Sequence, residues 1–261
     1  MSSDHLLYET LPGGIALATL NRPEARNALT FEMYERLADV CRAITPGGAV
    51  KALIVTGAGN KAFAAGTDIS AFRDFRTPEQ AIAYERKMDG VLGAIETCAV
   101  PTIAAISGAC TGGGGAIAAC CDLRIATRDM RFGFPIARTL GNCLSMTNLA
   151  RLAALIGAAR TKEILFTARL VEAPEALACG LVSEVLDDHA ALMQRASDLA
   201  RQLTTHAPLT LRATKEALRR LRDTGEPGRD HDLIALCYAS EDFREGMDAF
   251  LAKRQPQWKG Q

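Results

Sequence analysis

The chain has 261 residues, of which 48% are hydrophobic and 23% charged, so it resembles an ordinary globular protein with room for a sizeable core. Its 30 Lys and Arg residues balance its 30 Asp and Glu residues, and the formal net charge of zero argues against nucleic-acid or polybasic membrane binding. The N-terminal sequence lacks the apolar core of a secretory signal, and no apolar stretch approaches the roughly 20 residues of a spanning helix. Eight cysteines without CxxC pairs favour a reducing compartment and no metal site. We therefore expect a cytoplasmic protein with no nucleic-acid or membrane partner.

The first third of the chain begins with strand patterns and one amphipathic helix. Two β-rich runs surround Pro12-Gly13-Gly14 and predict a hairpin. Thr30 is placed to N-cap a helix that runs to about Ala43 and has its apolar residues on one face. The run "KALIVTGAG" predicts a buried strand, and the glycine-bearing loop "NKAFAAGTDIS" follows it.

The central part of the chain alternates helices with buried strands. Residues 78–97 predict a long helix, and "PTIAAISG" predicts another buried strand. The glycine run in "ACTGGGGAIA" opens a short helix toward Cys121, after which "DLRIAT" and "RFGF" have the pattern of strands. This alternation predicts the α/β class.

The pattern becomes helical from about Leu144 and is interrupted only by "LVSEVLD". From Ala190 to the end, the sequence is almost entirely amphipathic helix, with a turn at "DTGEPGRD". We therefore place a boundary near residue 190, which separates a core of residues 1–190 from a helical C-terminal region of residues 191–261.

The two glycine loops, "FAAGTDI" and "ACTGGGGAIA", are the strongest functional signal in the residues themselves. Backbone N–H groups at the start of a helix have no intrahelical partner, and glycine allows a ligand to approach them closely. Two such loops on neighbouring strands can direct two N–H groups at one oxygen, as in an oxyanion hole. The alternative interpretation is that the glycines only allow a helix to pack closely on a strand.

Nucleotide-binding interpretations of the same glycines fit less well. A P-loop would need Lys followed by Ser or Thr after the glycines, and neither is present there. Gly113, Gly115 and Ala118 match the GxGxxA spacing of dinucleotide-binding folds. However, the following helix ends near Asp122, and Asp129 is too close to serve as the ribose-binding acid.

Four segments in order along the chain carry a family resemblance. They are "NRPEARNALT", "KAFAAGTDIS", "PTIAAISGACTGGGGAIAACCDLRIAT" and "EDFREGMDAFLAKRQPQW", and together they resemble the enoyl-CoA hydratase/isomerase (crotonase) superfamily. The resemblance implies an α/β, crotonase-like spiral of repeated ββα units with a C-terminal helical region for oligomerisation and for covering CoA. It also implies a homotrimer or a dimer of trimers, and an acyl-CoA thioester that is the substrate, with no cofactor.

The resemblance also implies roles for particular residues. The backbone amides of Thr67 and Gly113 would bind the thioester oxygen. Residues near the first glycine loop and the C-terminus would border the CoA, with Arg26 and Lys253 near its phosphates or nucleotide; the full set is Ala25, Arg26, Ala64, Ala65, Gly66, Asp68, Ile69 and Lys253.

The sequence departs from the family pattern at two positions. Hydratases of the family use two glutamates to activate a water molecule, and the corresponding positions here are Ala116 and Ile136. Neither side chain can transfer a proton, and general acid–base catalysis contributes a factor of about 10²–10⁴ in rate. We therefore expect ordinary hydratase activity to be weak, and a decarboxylase, thioesterase or other lyase activity in its place.

The loop "IARTLGNCLSMTN" offers polar replacements for the missing acids. Asn142 and Ser145 are candidate catalytic groups, and Arg138 is a candidate carboxylate-binding fork. The alternative is that Asn142 only turns or caps the chain before the next helix. Glu85 and Glu96 lie on the helix after the first glycine loop, and we expect both to be surface-exposed.

Three functional hypotheses follow from the sequence. The first is an acyl-CoA enzyme that works mainly by oxyanion stabilisation. The second is a non-catalytic acyl-CoA-binding protein or structural subunit. The third is a nicotinamide-dependent dehydrogenase, which depends on the GxGxxA match alone.

Overall fold

The computed structural model describes residues 4–69, 76–225 and 230–261. Within these residues there are ten strands and eleven α-helices. The strands are β1 (Leu6–Leu11), β2 (Ile15–Leu20), β3 (Ala52–Gly57), β4 (Ala62–Ala64), β5 (Thr102–Ile106), β6 (Ala109–Thr111), β7 (Leu123–Thr127), β8 (Arg131–Gly133), β9 (Val171–Glu172) and β10 (Glu184–Leu186). The helices are α1 (Phe31–Ala43), α2 (Pro78–Glu96), α3 (Gly113–Cys120), α4 (Ile136–Thr139), α5 (Met146–Ile156), α6 (Ala158–Thr167), α7 (Ala173–Ala178), α8 (His189–Thr204), α9 (Pro208–Thr224), α10 (His231–Tyr238) and α11 (Glu241–Leu251).

The strands form two sheets, and the strands from β3 to β8 alternate between them. The six-stranded sheet has the order β1-β2-β3-β5-β7-β10, with β1 antiparallel and the other strands parallel. The four-stranded sheet has the order β4-β6-β8-β9, with β9 antiparallel. The units β3-β4-α2, β5-β6-α3 and β7-β8-α4 each place one strand in each sheet before their helix. The predicted spiral of ββα units is therefore confirmed.

The parallel strands of the larger sheet are buried on both faces. In β3, Leu53 and Val55 face the main core, whereas Ala52 and Ile54 face a second cluster with α8. Successive strand side chains point to opposite faces, so a strand covered on both sides needs an uninterrupted apolar run. This requirement explains the continuous hydrophobic pattern of "ALIVTG".

Helix α8 forms the outer layer of the six-stranded sheet. Its residues Leu192, Ala196 and Ala200 are fully buried against Ile54 and its neighbours. The first helix of the C-terminal region thus contributes to the core of the preceding strands. The predicted division at residue 190 remains a prediction, and the turn predicted at "DTGEPGRD" falls partly on residues 226–229, outside the described residues.

Several local predictions are confirmed. The hairpin forms around residues 12–14, and the Thr30 side chain accepts a hydrogen bond of 3.2 Å from the Met33 N–H at the start of α1. The structure also shows that Cys120 and Cys121 are buried and that all eight cysteines are free. Among the helices of the described residues, none is long and apolar enough to cross a membrane.

The sequence analysis missed the short elements that flank the glycine loops. It assigned β4, β6 and α4 to loops, and it did not identify β9. Strands of two or three residues carry too little periodicity to be recognised, and they form here because a neighbouring strand supplies their hydrogen bonds.

One glycine of the run has the packing role that we considered as the alternative. A Cβ on Gly114 would overlap the carbonyl oxygen and Cβ of Ala64 in β4. Helix α3 therefore lies directly on the strand that precedes the first glycine loop. This close contact brings the two glycine loops together.

Candidate active site

The two glycine loops and helix α2 enclose a cavity of about 430 Å³ with the chain around residues 134–148. Cavities that bind small molecules typically have volumes of about 300–1,000 Å³ and are mostly apolar. This cavity fits both criteria, because most of the described residues that line it are aliphatic, aromatic or glycine.

The glycine loops meet at one wall of this cavity. A Cβ on Gly112 would lie 3.4 Å from the Cα of Gly66. The first loop is fixed by a parallel bridge, in which the Leu29 N–H donates to the Gly66 carbonyl and the Asp68 N–H donates to the Leu29 carbonyl, both at 2.8 Å. This pairing does not use the N–H of Thr67, which lies between them. Within the described residues, neither that N–H nor the N–H of Gly113 donates a hydrogen bond.

The hydroxyl of Tyr34 explains why position 113 has no side chain. A Cβ on Gly113 would overlap the Tyr34 hydroxyl oxygen and would lie 2.9 Å from Thr67 Oγ1. Tyr34 is buried on α1, and its hydroxyl forms a 2.9 Å hydrogen bond with Thr67 Oγ1. The start of α3 is thus packed against a tyrosine–threonine pair, which the sequence analysis did not identify.

Tyr34, Thr67, Tyr84 and Glu85 form the polar wall of the cavity. Burial raises the pKa of Tyr34 well above its usual range and raises the pKa of Tyr84 to about 12, although a hydrogen bond with Thr67 opposes the rise for Tyr84. Burial, followed by the negative charge of Asp89, raises the pKa of Glu85. The polar wall therefore holds neutral phenols beside a carboxyl group that is difficult to ionise.

The rest of the described lining is mostly apolar, and the two positions where the family resemblance implies acids are both apolar. Ala116 lies in the first turn of α3 and Ile136 at the start of α4, and both line the cavity. Of the described lining residues, Glu85 alone has a carboxyl group.

Several residues predicted from the sequence do line this cavity. They are Thr67 and Gly113, which we predicted to bind the thioester oxygen, Asn142 from the polar loop, and Ala65, Gly66 and Ile69 from the first glycine loop. The geometry thus brings together the two loops that carry the main prediction. The hydrogen-bonding role of the two amides remains a prediction.

Ser145 and Arg138 lie outside the described lining of the cavity, and their catalytic roles stay predictions. Ser145 is the N-cap of α5: its Oγ accepts from the Asn148 N–H at 3.3 Å and donates to Asp89 Oδ1 at 2.7 Å. Arg138 is exposed. The helix cap that we considered for Asn142 is therefore formed by Ser145, since the helix begins at Met146 instead of Leu144.

Two of the residues predicted to contact CoA also have structural roles, and their contacts with CoA stay predictions. Ala64 is fully buried beneath α3, so its side chain is not available to a ligand. Asp68 forms an ion pair with Arg22 at 3.2 Å, which connects the first glycine loop to the segment before α1. Neither residue belongs to the described lining of the cavity.

The remaining predicted CoA contacts lie outside the cavity. Ala25 ends a short 3₁₀ turn, and the exposed Arg26 follows in a left-handed conformation. The Arg26 carbonyl accepts a 3.0 Å hydrogen bond from the Ala65 N–H, so this segment borders the first glycine loop. Lys253 is exposed after α11. Contacts of these three residues with CoA remain predictions.

Both glutamates of α2 were predicted to be surface-exposed, and both predictions were wrong. Glu85 is half-buried in the cavity wall, as described above. Glu96 lies beneath α5 and α9, where it accepts hydrogen bonds from Arg151 at 2.8 and 3.1 Å and forms an ion pair with Arg222. Burial opposes ionisation of Glu96, but the hydrogen bonds from both arginines lower its pKa overall. No local sequence pattern indicates such partners, because they come from distant helices.

These features define an α/β protein of ββα units with a ligand-sized cavity formed by two glycine loops. A sequence profile of the enoyl-CoA hydratase/isomerase family matches residues 10–261, and the chain belongs to that family.

Individual proteins agree with this assignment. The chain is 35% identical over 252 residues to a short-chain-enoyl-CoA hydratase from Clostridium acetobutylicum, covering 93% of each chain. It is 34% identical over 249 residues to a crotonyl-CoA hydratase from Syntrophomonas wolfei, covering 92% of this chain and 93% of that protein. A crystal structure of an enoyl-CoA hydratase/carnithine racemase from Magnetospirillum magneticum has a TM-score of 0.89 and 35% identity, covering 100% of this chain and 97% of that chain.

Proposed function

We propose that this protein is an enzyme that acts on an acyl-CoA thioester and stabilises negative charge on the thioester oxygen with the amides of Thr67 and Gly113. One observation carries the proposal: two backbone N–H groups without partners among the described residues belong to loops that meet at one wall of an apolar cavity. The names of the relatives, which are enoyl-CoA and crotonyl-CoA hydratases, support the choice of a CoA thioester.

The chemistry of such a site follows from electrostatics. When an enolate or a tetrahedral intermediate forms, the thioester oxygen gains negative charge, and fixed N–H dipoles at that point lower the barrier. Removing one donor from such a site costs about 10²–10³ in rate in well-studied enzymes. The apolar surroundings strengthen each interaction, because they lower the local dielectric constant.

The apolar residues Ala116 and Ile136 favour reactions other than simple hydration. Water addition in this family depends on a pair of acids at these positions, according to the resemblance described above. An enzyme that retains only the oxyanion site is suited to decarboxylation, thioester hydrolysis or another lyase step. The CoA thioester is then the substrate, and we propose no further cofactor.

Isotope-edited infrared spectroscopy tests the oxyanion site directly. A butyryl-CoA labelled with ¹³C at the thioester carbonyl should show a lower carbonyl stretching frequency when bound, because two N–H donors polarise the bond. The matched variant Thr67→Ala keeps its backbone N–H and should retain most of the shift. An unshifted carbonyl band in a demonstrated complex would contradict the proposal.

Turnover of a small panel of thioesters tests the reaction class. Loss of the enoyl absorbance of crotonyl-CoA reports hydration, release of free CoA thiol reports hydrolysis, and a malonyl-type thioester reports decarboxylation. We expect little hydration by the natural sequence. The double variant Ala116→Glu/Ile136→Glu should increase hydration at least tenfold, because it supplies the missing acids. Rapid hydration by the natural sequence would show that other groups already perform this step.

A non-catalytic acyl-CoA-binding protein is the second candidate, and the absence of acids at positions 116 and 136 favours it. This candidate predicts micromolar binding of thioesters by calorimetry without turnover of any member of the panel. Measurable turnover of any one of them would exclude it.

We further propose that the protein acts in the cytoplasm as a homotrimer or a dimer of trimers. Large apolar side chains on α11 are exposed in the single chain, among them Met247, Phe250 and Leu251. Contiguous exposed apolar surface is typical of interfaces between subunits. Light scattering coupled to size-exclusion chromatography measures the assembly, and a monomer at micromolar concentration would contradict it.

A further inference from the structure

Helix α2 places one carboxyl group in the wall of the cavity. The helix begins with a capping box, in which the Thr77 side chain accepts from the Gln80 N–H and the Gln80 side chain accepts from the Thr77 N–H. Glu85 follows on the same face as Met88 and Leu92, because residues three, four and seven apart share a helix face. All three side chains line the cavity, so the packing of α2 fixes the direction of Glu85.

No basic group of the described residues is among the causes that shift the pKa of Glu85. None of the described basic residues forms an ion pair with it, and the nearby basic residue Lys87 pairs with Glu35 of α1. The titratable groups that face it are Asp89 on its own helix, the phenols of Tyr34 and Tyr84, and Cys143 from the loop across the cavity.

Asp89 is held in a fixed position next to this site. It is four residues after Glu85 on α2, and the Ser145 hydroxyl donates a 2.7 Å hydrogen bond to its Oδ1. Its carboxyl group is close enough to act on Glu85 electrostatically. Burial, and after it the charge of Asp89, raises the pKa of Glu85, so its carboxylate binds a proton more readily than that of an ordinary glutamate.

We propose that Glu85 is a catalytic residue that transfers a proton to or from the α-carbon of a bound acyl-CoA thioester. The proposal extends the proposed function and rests on it. In the forward step, the C–H bond at the α-carbon breaks and an O–H bond forms on the Glu85 carboxylate. The electron pair of the C–H bond moves through the carbonyl to the thioester oxygen, giving an enolate that the amides of Thr67 and Gly113 stabilise. Return of the proton from Glu85 restores the thioester.

The position of Glu85 supports this assignment. Glu85 acts electrostatically on Tyr34 and Tyr84, whose hydroxyls both hydrogen-bond with Thr67, so it lies on the side of the cavity where the thioester carbonyl is proposed to bind. The positions on α3 and α4 where relatives are expected to carry acids are apolar here, so the described lining residues offer no other carboxyl group. On this assignment, the carboxyl group of α2, the helix after the first glycine loop, replaces the acids that relatives are expected to carry on α3 and α4.

Hydrogen exchange tests the proton transfer without knowledge of the natural substrate. Butyryl-CoA in D₂O should exchange its α-hydrogens for deuterium in the presence of the enzyme, as measured by loss of the α-proton NMR signal. Glu85→Gln should lower the exchange rate at least 100-fold while butyryl-CoA binding, measured by calorimetry, changes less than threefold. The matched control Glu79→Gln, in the exposed first turn of the same helix, should exchange at the natural rate.

Two further variants separate a chemical role from a structural one. Glu85→Ala removes the carboxyl group, and added formate should restore part of the exchange with a rate that rises with formate concentration. Glu85→Asp keeps a carboxylate on a shorter arm and should retain more exchange than Glu85→Gln. Equal exchange in Glu85→Gln and the natural enzyme would overturn the proposal, and so would thioester binding without any exchange.

The outcomes distinguish this proposal from the one on which it rests. If the natural enzyme neither binds CoA thioesters nor shifts their carbonyl band, the proposed function itself fails. If binding and the carbonyl shift are present but exchange does not depend on Glu85, only the assignment of Glu85 fails. The pH profile gives an independent readout: exchange by the natural enzyme should rise with pH, with a midpoint above the ordinary glutamate value of 4.5.

Discussion

Two glutamates on helix α2 have opposite environments although they lie on the same face. Glu85 and Glu96 are eleven residues apart, which is about three helical turns. Glu85 faces an apolar cavity without a basic partner among the described residues, whereas Glu96 contacts two arginines from α5 and α9. Accordingly, the pKa of Glu85 is raised and that of Glu96 is lowered.

The difference indicates that the two glutamates of α2 have different roles, one in activity and one in stability. Glu96 lies in the last turn of α2, where the helix dipole disfavours a negative charge, and the arginines compensate for this. Glu85 lies mid-helix and has no such compensation. A carboxylate without a positive partner is costly to the fold and reactive toward protons, which is the combination typical of functional sites. We therefore expect mutations of Glu96 to affect folding and mutations of Glu85 to affect activity.

The largest effect on stability is expected for Glu96→Gln. It removes the negative charge between Arg151 and Arg222 and leaves the nearly inaccessible Arg151 side chain without a countercharge. Breaking a buried ion pair in this way costs about 3–5 kcal/mol of unfolding free energy. Urea denaturation measures the loss.

The control for this prediction is Glu245→Gln, which breaks the exposed ion pair with Arg254. Exposed ion pairs contribute little to stability, so the urea midpoint of the Glu245→Gln variant should stay close to that of the natural protein. If both variants lost a similar amount of unfolding free energy, burial would not explain the contribution of the Glu96 ion pairs to stability.

The pH dependence of stability should have opposite signs for the two glutamates. A carboxyl group with a raised pKa costs stability as pH rises through its folded-state value, so Glu85→Gln should become more stable relative to the natural protein between acid and neutral pH. The stabilisation from Glu96 is present above 4.5 and is lost as pH falls through its lowered folded-state pKa.

Denaturation curves at several pH values, measured for both variants, test these signs. Relative to the natural protein, the stabilities of the two variants should change with pH in opposite directions. A change in the same direction would contradict the opposite pKa shifts assigned to Glu85 and Glu96.

A smaller effect is expected for Asp89→Asn. The substitution removes a negative charge next to Glu85, so the midpoint of the hydrogen-exchange profile should move to lower pH. Burial is the larger cause of the raised Glu85 pKa and remains in the variant, so the midpoint should stay above 4.5. The natural and variant profiles for butyryl-CoA exchange give the comparison, and an upward shift would contradict the assigned role of Asp89.

The smallest effect is expected for Tyr34→Phe. It removes the hydroxyl that bonds to Thr67 Oγ1 while keeping the ring that packs in the core, and the loss of one such bond costs about 1 kcal/mol. Stability should fall by that amount in urea denaturation. Hydrogen exchange should change much less than in Glu85→Gln, because the backbone amides and the Glu85 carboxyl group remain.

Much of the fold could be predicted because its signals are local. Thr30 caps α1 through a residue three positions away, and β3 is recognisable from its unbroken apolar run. The two glycine loops were recognised together with their shared cavity role, because glycines after buried strands are visible in the sequence alone. By contrast, β4 and β6 exist only because they pair with each other and with β8, and their own three residues do not indicate a strand.

The site residues with local sequence signals could be predicted, whereas those that depend on contacts between distant segments could not. Thr67, Gly113 and Asn142 were found because they lie in recognisable loops. The sequence did not indicate that Ser145 caps α5 and contacts Asp89, because these contacts depend on where α5 begins and on a residue 56 positions away. Tyr34 was missed, since nothing in the pattern of α1 shows that its hydroxyl meets the start of α3.

The sequence by itself determined the alternation of buried strands and helices, the two glycine loops and the apolar residues at positions 116 and 136. The tertiary structure alone decided which acids matter. Arg151 and Arg222 reach Glu96 from 55 and 126 residues away, whereas the described residues provide no such partner for Glu85. The ionisation of a carboxyl group depends on its burial and on the charges within a few ångströms, and only the folded chain brings those charges together.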